Sequence, residues 1–263
     1  MKKILTLIIF ILTIISGKAQ TIETAEELNI RSKEFLIVSD FKNAVPLFKM
    51  AALAGSPEAQ YNYGVCFQQG IIVEKNDKKA FDWFVKSSEG GYKDAQFQLA
   101  LNYAMGGTIV KDDKKAFYWW LKCARQIDPE CMYNVISCYK EGIGTNKRID
   151  SMVWWAVKLA SLDAPPDLKA INVQIATTRL NLARMYYAGD NVPKDAVKSY
   201  LWLLIYNEKK NDFPVAAQKK NIDLIRVLEK NLTDTEKKMA KTEAEKILKR
   251  RLVNIQQLYK QQN

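Results

Sequence analysis

The chain contains no histidine among its 263 residues, and it has only four cysteines, seven prolines and eleven glycines. The lack of histidine excludes Ser-His-Asp and Cys-His nucleophile systems, and it excludes the common histidine-based zinc sites. The glycines are dispersed and form no phosphate-binding loop, and no two cysteines have the Cys-x-x-Cys spacing of a redox motif. The sequence therefore predicts a protein that is not an enzyme and that needs no cofactor or metal ion.

A short apolar run stands at the beginning of the chain. Two lysines precede the largely apolar residues 4–15, and a segment of small residues ends at Ala19. This order is typical of a secretory signal peptide, and the run is shorter than the ~20 apolar residues of a membrane-spanning helix. We expect residues 1–19 to be a signal peptide that leaves Gln20 first in the exported protein, in the periplasm or outside the cell. An uncleaved membrane anchor is the alternative.

Positive charge is concentrated at the C-terminal end. The chain carries 40 basic and 29 acidic side chains, and residues 208–263 hold 14 of the basic and 8 of the acidic ones. The mixture of both signs favours a solvated helix face, whereas a surface that binds anionic ligands is the alternative. Because an exported protein does not meet nucleic acid, we expect no nucleic-acid partner, no stable membrane insertion and at most weak association with anionic surfaces.

A period of 36 residues runs through the middle of the chain. Aromatic and aliphatic residues recur at helical spacing within each period, and a glycine falls where a first helix would end. A period of this length predicts stacked helical hairpins, each of which buries its apolar face against the next. The residues in phase are Trp83, Trp119 and Trp155; Gly70, Gly106 and Gly142; Lys86, Lys122 and Lys158; and, at the start of two second helices, Asp77 and Asp113, while Asp150 comes one position later in the third repeat.

The pattern divides the chain into four segments. The array has about four repeats, and the fourth, with Gly189, Asp195 and Trp202, follows eleven extra residues near 162–173. In the last segment Thr233 starts a helix through a capping box, and we expect this helix to continue to Ile255. The alternative is that this last helix projects and pairs with another chain. The segments are 1–19, the signal peptide; 20–56, a degenerate N-terminal repeat or cap; 57–207, the repeat array; and 208–263, the C-terminal capping helices.

The repeated motif resembles that of the Sel-1-like repeat family, a relative of the tetratricopeptide repeat. Two positions of the third repeat depart from it: Ile136 replaces the glycine of the first helix, and Met152 replaces the alanine of Lys-Ala, so we expect this hairpin to pack more loosely. The resemblance implies an all-α fold, a right-handed α-solenoid of stacked helix-turn-helix repeats. It is carried by Gly64, Gly70, Asp77, Lys79, Ala80, Trp83 and Lys86, and by Gly106, Lys115, Ala116, Trp119 and Lys122 in the next repeat.

Carboxamide side chains recur at one position of the first helix. Because the first helices of such arrays line the concave surface, these side chains are candidates for binding an extended peptide backbone. The alternative is that a polar residue simply suits a solvent-facing position. Two tryptophans outside the in-phase column, Trp120 and Trp154, are candidate exposed anchors for a partner, or they pack between repeats. The carboxamides are Asn62, Gln98, Asn134 and Asn181.

Two of the four cysteines lie eight residues apart across a repeat boundary. A tight turn at Asp128 can bring Cys123 and Cys131 within disulfide range, and two buried free thiols are the alternative. The spacing is similar to that of exported cysteine-rich members of the Sel-1-like family, and this resemblance implies a bridge between the two. Cys66 and Cys138 stand at the same position of repeats two apart, so we expect both to be free and buried.

These features predict an exported bacterial scaffold that binds another protein or a peptide through the concave face of its helical array. Two alternatives stay open. The cysteine-rich relatives imply a hydrolase that acts on cell wall or β-lactams, although neither candidate serine, Ser32 or Ser87, is followed three residues later by a lysine base. The basic C-terminal helices offer a binder of anionic ligands.

Overall fold

The computed structural model describes residues 23–163, 165, 167–208 and 215–254. All regular secondary structure in these ranges is helical, which confirms the predicted all-α class. The expected signal peptide lies outside the described residues. The helices are α1 (Ala25–Ile37), α2 (Phe41–Leu53), α3 (Pro57–Gln69), α4 (Asp77–Glu89), α5 (Lys93–Met105), α6 (Asp113–Arg125), α7 (Pro129–Glu141), α8 (Ile149–Ala160), α9 (Lys169–Ala188), α10 (Ala196–Asn207), α11 (Val215–Asn231) and α12 (Asp234–Leu248).

The chain divides into two compact units, one up to Leu99 and one from Ala100 onward. In the first unit, each helix from α1 to α4 packs against the next. In the second unit, consecutive helices from α6 to α10 pack in the same way, and α10 also contacts α11 and α12. The pairs α3–α4, α7–α8 and α9–α10 are therefore the helical hairpins that the repeat pattern predicts.

The ends of these helices follow from their capping residues. Asn76, Asp112 and Asp195 precede α4, α6 and α10, and each side-chain oxygen accepts a 2.9 Å hydrogen bond from the backbone N–H three residues later. As predicted, the aspartates of the motif precede or open the second helices: Asp195 is itself the cap, Asp77 and Asp113 are the first helical residues, and Asp150 lies in the first turn of α8. The glycines that end α3, α7 and α9 in the left-handed conformation are Gly70, Gly142 and Gly189, as predicted.

A polar side chain at one repeat position ties a first helix to the helix before it. The amides of Gln60 and Gln96 donate 3.2 Å hydrogen bonds to carbonyls in the last turns of α2 and α4. In the fourth repeat this position holds Arg179, whose Nε donates to the carbonyl of Ala160, the last residue of α8, at 2.8 Å. Carbonyls in a last turn have no partner within their own helix, so these side chains satisfy them across the repeat boundary.

The recurring tryptophan and lysine form a cation–π pair on the second helices. The Nζ atom of Lys86 lies 4.2 Å from the ring centroid of Trp83, and that of Lys122 lies 4.9 Å from that of Trp119. Residues three apart are neighbours on a helix surface, which explains the fixed spacing of the motif. Trp83 is half-buried. The buried members of the column, which the sequence assigns to the core, are Trp119, Trp155 and Trp202.

The C-terminal helices cover the last hairpin of the second unit. The helix α12 begins at the predicted capping box, in which Thr233 and Glu236 bond each other's backbone N–H. It ends at Leu248, so the prediction that this helix continues is wrong over residues 249–254. The reason is that Lys249 takes a left-handed φ of +55°, after which the chain turns back and bonds the end of α10. Buried residues of α12 share one core with α10, as a cap requires.

Candidate functional site

A groove of about 440 Å³ lies in the second unit, lined by α7, α8, α9 and the loop after α9. Three of its four buried lining residues are apolar: Met152 and Ala156 of α8 are each 5% exposed, and Leu182 of α9 is 1% exposed. The fourth, Thr178, is 5% exposed and donates its hydroxyl to the Gln174 carbonyl of its own helix. The volume falls within the ~300–1,000 Å³ of typical ligand-binding clefts. The groove therefore combines the size and the apolar character of a binding site.

Two departures from the repeat motif line this groove. At the usual glycine, Gly64, a Cβ atom would lie 2.8 Å from the ring of Phe84, so α3 and α4 pack too closely for a side chain there. The third repeat has Ile136 at this position and Met152 in place of the alanine of the second helix. Both side chains line the groove. The substitutions that predict looser packing of the third hairpin therefore border an opening that ligand atoms can enter.

The rim of the groove is polar and carries both signs of charge. Lys140 of α7 and Arg184 of α9 are exposed cations on two different helices. The Nζ atom of Lys140 lies 3.1 Å from a carboxylate oxygen of the adjacent Glu141. Arg184 donates a long 3.5 Å hydrogen bond to the Asn221 side chain of α11. Asp190 in the following loop supplies an acidic group. The rim therefore offers donors and acceptors around an apolar floor.

The structure brings only part of the predicted carboxamide row to this groove. Asn181 lines it and is exposed. Asn134 is half-buried, does not line the groove, and donates to the Glu130 carbonyl of its own helix at 3.0 Å. In the first unit, Asn62 and Gln98 are half-buried. Contact of the four side chains with a partner stays a prediction, and Asn181 is the member with a cavity beside it.

The two tryptophans outside the column have different environments. Trp154 is 53% exposed, with Lys158 Nζ 4.5 Å from its ring centroid, as an anchor requires. Trp120 is only 8% exposed, and its indole N–H is buried without a hydrogen-bond partner among the described residues, so its assignment as an exposed anchor is wrong. The repeat alignment contains the missed signal, because every residue in phase with Trp120 is buried and apolar. These residues are Phe84, Ala156 and Leu203.

Cys123 and Cys131 join α6 to α7 in the structure. Their Cα atoms lie 5.8 Å apart, within disulfide range, and both side chains are fully buried. The carboxylate of Asp128 lies beside them and accepts the backbone N–H of Cys131 at 3.0 Å. These three side chains have the spacing of a metal site, whereas a disulfide between the two sulfur atoms would leave no thiolate for a metal. At this boundary Met132 holds the position of the helix-tying amides, and the cysteine pair lies beside it.

We expect thiol alkylation to show that Cys123 and Cys131 are bridged. Burial raises the pKa of the Cys66 and Cys138 thiols to about 11, so both stay protonated and unreactive in the folded protein at neutral pH. Without reductant, alkylation should therefore label no cysteine in the folded protein and two after denaturation. If the protein is reduced first and then alkylated after denaturation, the number of labelled cysteines should rise to four. Reduction also opens the nine-residue loop that the bridge closes, and this should lower the free energy of unfolding by about 2–3 kcal/mol. Four labels without reductant would contradict the bridge.

Among the helices that the structure describes, none is both long and apolar enough to cross a membrane.

Comparison with known proteins identifies the repeats. The Sel1 repeat family model matches residues 57–92, 93–128 and 179–205. The matches leave out the segment between the second and third of these, which holds both groove-lining departures and the insertion. No match was found among curated proteins.

Two solved structures are similar to this chain. The crystal structure of a Sel1 repeat protein from Oxalobacter formigenes is 23% identical, with a TM-score of 0.64, and the alignment covers 83% of this chain and 84% of that one. The structure of c5321, a protective antigen of uropathogenic Escherichia coli with an SLR fold, is 19% identical with a TM-score of 0.43. That alignment covers 91% of this chain and 57% of the antigen. The in-phase motif and the three matched segments show that this chain carries Sel1 repeats, and the structure from Oxalobacter formigenes shares their fold.

Proposed function

We propose that this protein is an exported scaffold that holds another protein through its repeat array. Sel1 repeats in general mediate protein–protein interaction. The observation that carries the proposal is the groove between α7, α8 and α9, where Asn181 stands beside an apolar floor. A carboxamide both donates and accepts hydrogen bonds, so it can bind a partner's backbone while apolar side chains enter the cleft.

Export rests on the sequence before the first described residue. Two lysines, the apolar residues 4–15 and the small residues up to Ala19 have the order of a cleaved signal peptide. A bridge between Cys123 and Cys131 fits the oxidising compartment that export would supply. We therefore propose the cell envelope or the extracellular space as the place where the partner is met.

Affinity capture from the native envelope fraction tests this function. The full chain is compared with a variant in which Asn62, Gln98, Asn134 and Asn181 are changed to alanine, and with Asn181→Ala alone. We expect a specific partner that the wild type retains and the fourfold variant loses. Asn181→Ala should account for most of the loss, because this side chain lines the groove. Recovery of the captured protein with Gln20 at its N-terminus is the expected result for export.

The controls separate loss of binding from loss of fold. Circular dichroism should give equal helicity for all three proteins, since the substituted side chains are exposed or half-buried. A partner retained by both variants would place the binding site elsewhere, at the basic C-terminal helices or at Trp154. Absence of any specific partner would contradict the scaffold function and favour the enzymatic alternative.

A further inference from the structure

We infer that the groove between α7, α8 and α9 takes a short extended peptide segment with an aliphatic side chain next to an acidic residue. The aliphatic side chain lies on the floor around Met152 and Met185, and the carboxylate pairs with the rim at Arg184 and Lys140. This inference rests on the proposed scaffold function and specifies the chemistry of the partner.

The floor selects an apolar side chain without fixing its shape. Ile136 and Met185 are half-buried, so each presents part of its apolar surface to the cavity. Methionine is unbranched and polarizable, and it adapts to aliphatic side chains of different outline. Burial of one such side chain against this floor removes apolar surface from water, which is the main favourable contribution to binding. Leucine, isoleucine and methionine are the expected residues.

The rim selects a negative charge beside that side chain. No carboxylate among the described residues pairs with Arg184. Its guanidinium donates a long hydrogen bond of 3.5 Å to the neutral side chain of Asn221. The ion pair between Lys140 and Glu141 is exposed on both sides, with 64% and 51% of the side chains accessible, so it is weak and can be exchanged. An arginine without a carboxylate is a ready partner for one from outside, and two cations disfavour a basic segment.

The acidic group on the rim does not cancel this preference. Asp190 accepts a 2.7 Å hydrogen bond from the side-chain amide of Asn191, so one of its oxygens is already occupied. Among the described residues that line the groove, it is the one acid, against two cations. Charge complementarity therefore favours an acidic partner segment over a basic one.

The amides of the rim favour an extended segment over a helix. Asn181 lies on the wall formed by α9, and Asn191 lies in the loop that follows. Carboxamides pair with backbone N–H and C=O groups that are free, as they are in an extended chain. In a helix the backbone N–H and C=O groups are already paired with each other, so a helical ligand would leave the amides of the rim without backbone partners. Two amides beside an apolar floor therefore fit a peptide of a few residues.

Selection from a phage-displayed random peptide library on the immobilised full-length protein tests the inference. We expect enriched peptides to carry leucine, isoleucine or methionine next to aspartate or glutamate. The best peptide, labelled with fluorescein, should bind a variant with Lys140→Glu and Arg184→Glu about tenfold more weakly than the wild type. A matched control with Lys169→Glu and Lys230→Glu, two exposed lysines outside the groove lining, should bind as the wild type does.

Each other outcome overturns the inference. Absence of an enriched motif, a motif without an acidic residue, or equal loss of binding in the control would each contradict it. Equal helicity and equal melting temperature of the variants exclude unfolding as the cause of a loss. If envelope capture finds a partner that depends on Asn181 but the library gives no acidic motif, the inference fails and the scaffold function stands. If neither experiment finds a ligand, both fail.

Discussion

Glu208→Ala should lower the free energy of unfolding by about 2–3 kcal/mol, because a buried carboxylate that accepts three hydrogen bonds is lost. The Glu208 side chain is 1% exposed at the end of α10. Its carboxylate accepts a 2.6 Å charge-assisted hydrogen bond from Arg250 and bonds of 3.2 and 3.0 Å from the backbone N–H groups of Val253 and Asn254. This side chain therefore makes three of the hydrogen bonds that hold the returning C-terminal segment against the last hairpin, and Asn207 donates another to the carbonyl of Asn254 at 3.0 Å.

Urea denaturation followed by circular dichroism measures this effect. The matched control is Glu243→Ala on α12, where the glutamate is 51% exposed and pairs with Lys246 at 3.5 Å, and its effect should stay within about 0.5 kcal/mol. Glu208→Gln keeps one acceptor oxygen, so its loss of stability should lie between those of Glu208→Ala and Glu243→Ala. A loss for Glu208→Ala no larger than the control's would show that the bonds of Glu208 to the C-terminal segment add nothing to the stability of the array.

Arg179→Met should lower the free energy of unfolding by about 2–4 kcal/mol, because two buried helix-terminal carbonyls lose their donors. The guanidinium is 1% exposed, and its Nε and Nη2 atoms donate to the carbonyls of Ala160 and Leu162 at 2.8 and 2.7 Å. Burial lowers the pKa of Arg179 to about 10, so the side chain stays charged at neutral pH and its hydrogen bonds are charge-assisted.

The same denaturation experiment tests Arg179. Lys169→Met at the exposed start of α9 is the control for loss of one positive charge from this helix, and we expect a change within about 0.5 kcal/mol. Arg179→Lys keeps the charge but has no planar pair of donors, so it should recover less than half of the lost stability. Wild-type stability of Arg179→Met would show that the ends of α8 and α9 are held together by apolar packing alone.

Much of the fold follows from local rules that a sequence carries in full. The glycines after the first helices, the side-chain caps before the second helices and the Trp-x-x-Lys pairs depend on residues within a few positions of each other. Because the motif recurs in phase, each repeat confirms the interpretation of the others, and the all-α class follows. The same alignment identifies Trp120 as buried once the whole column around Phe84 and Leu203 is compared.

Contacts between distant residues are what the sequence does not determine. Nothing local to Lys249 predicts that α12 ends there, since the bonds that turn the chain back come from Glu208, more than forty residues earlier. The sequence alone shows Arg179 only as a polar residue, and the fold places it against the end of α8.

The groove shows most clearly which features follow from the sequence alone and which depend on the tertiary structure. Ile136 and Met152 are visible in the sequence as departures from a motif of small residues, and their size predicts looser packing. Larger side chains can be accommodated by tight packing of the three helices or can leave a cavity between them. Which of these occurs depends on the relative positions of the helix backbones. The sequence by itself determined the repeats, their caps and the two exceptions. Only the tertiary structure decided that those exceptions open a groove of about 440 Å³ beside Asn181 and two cations.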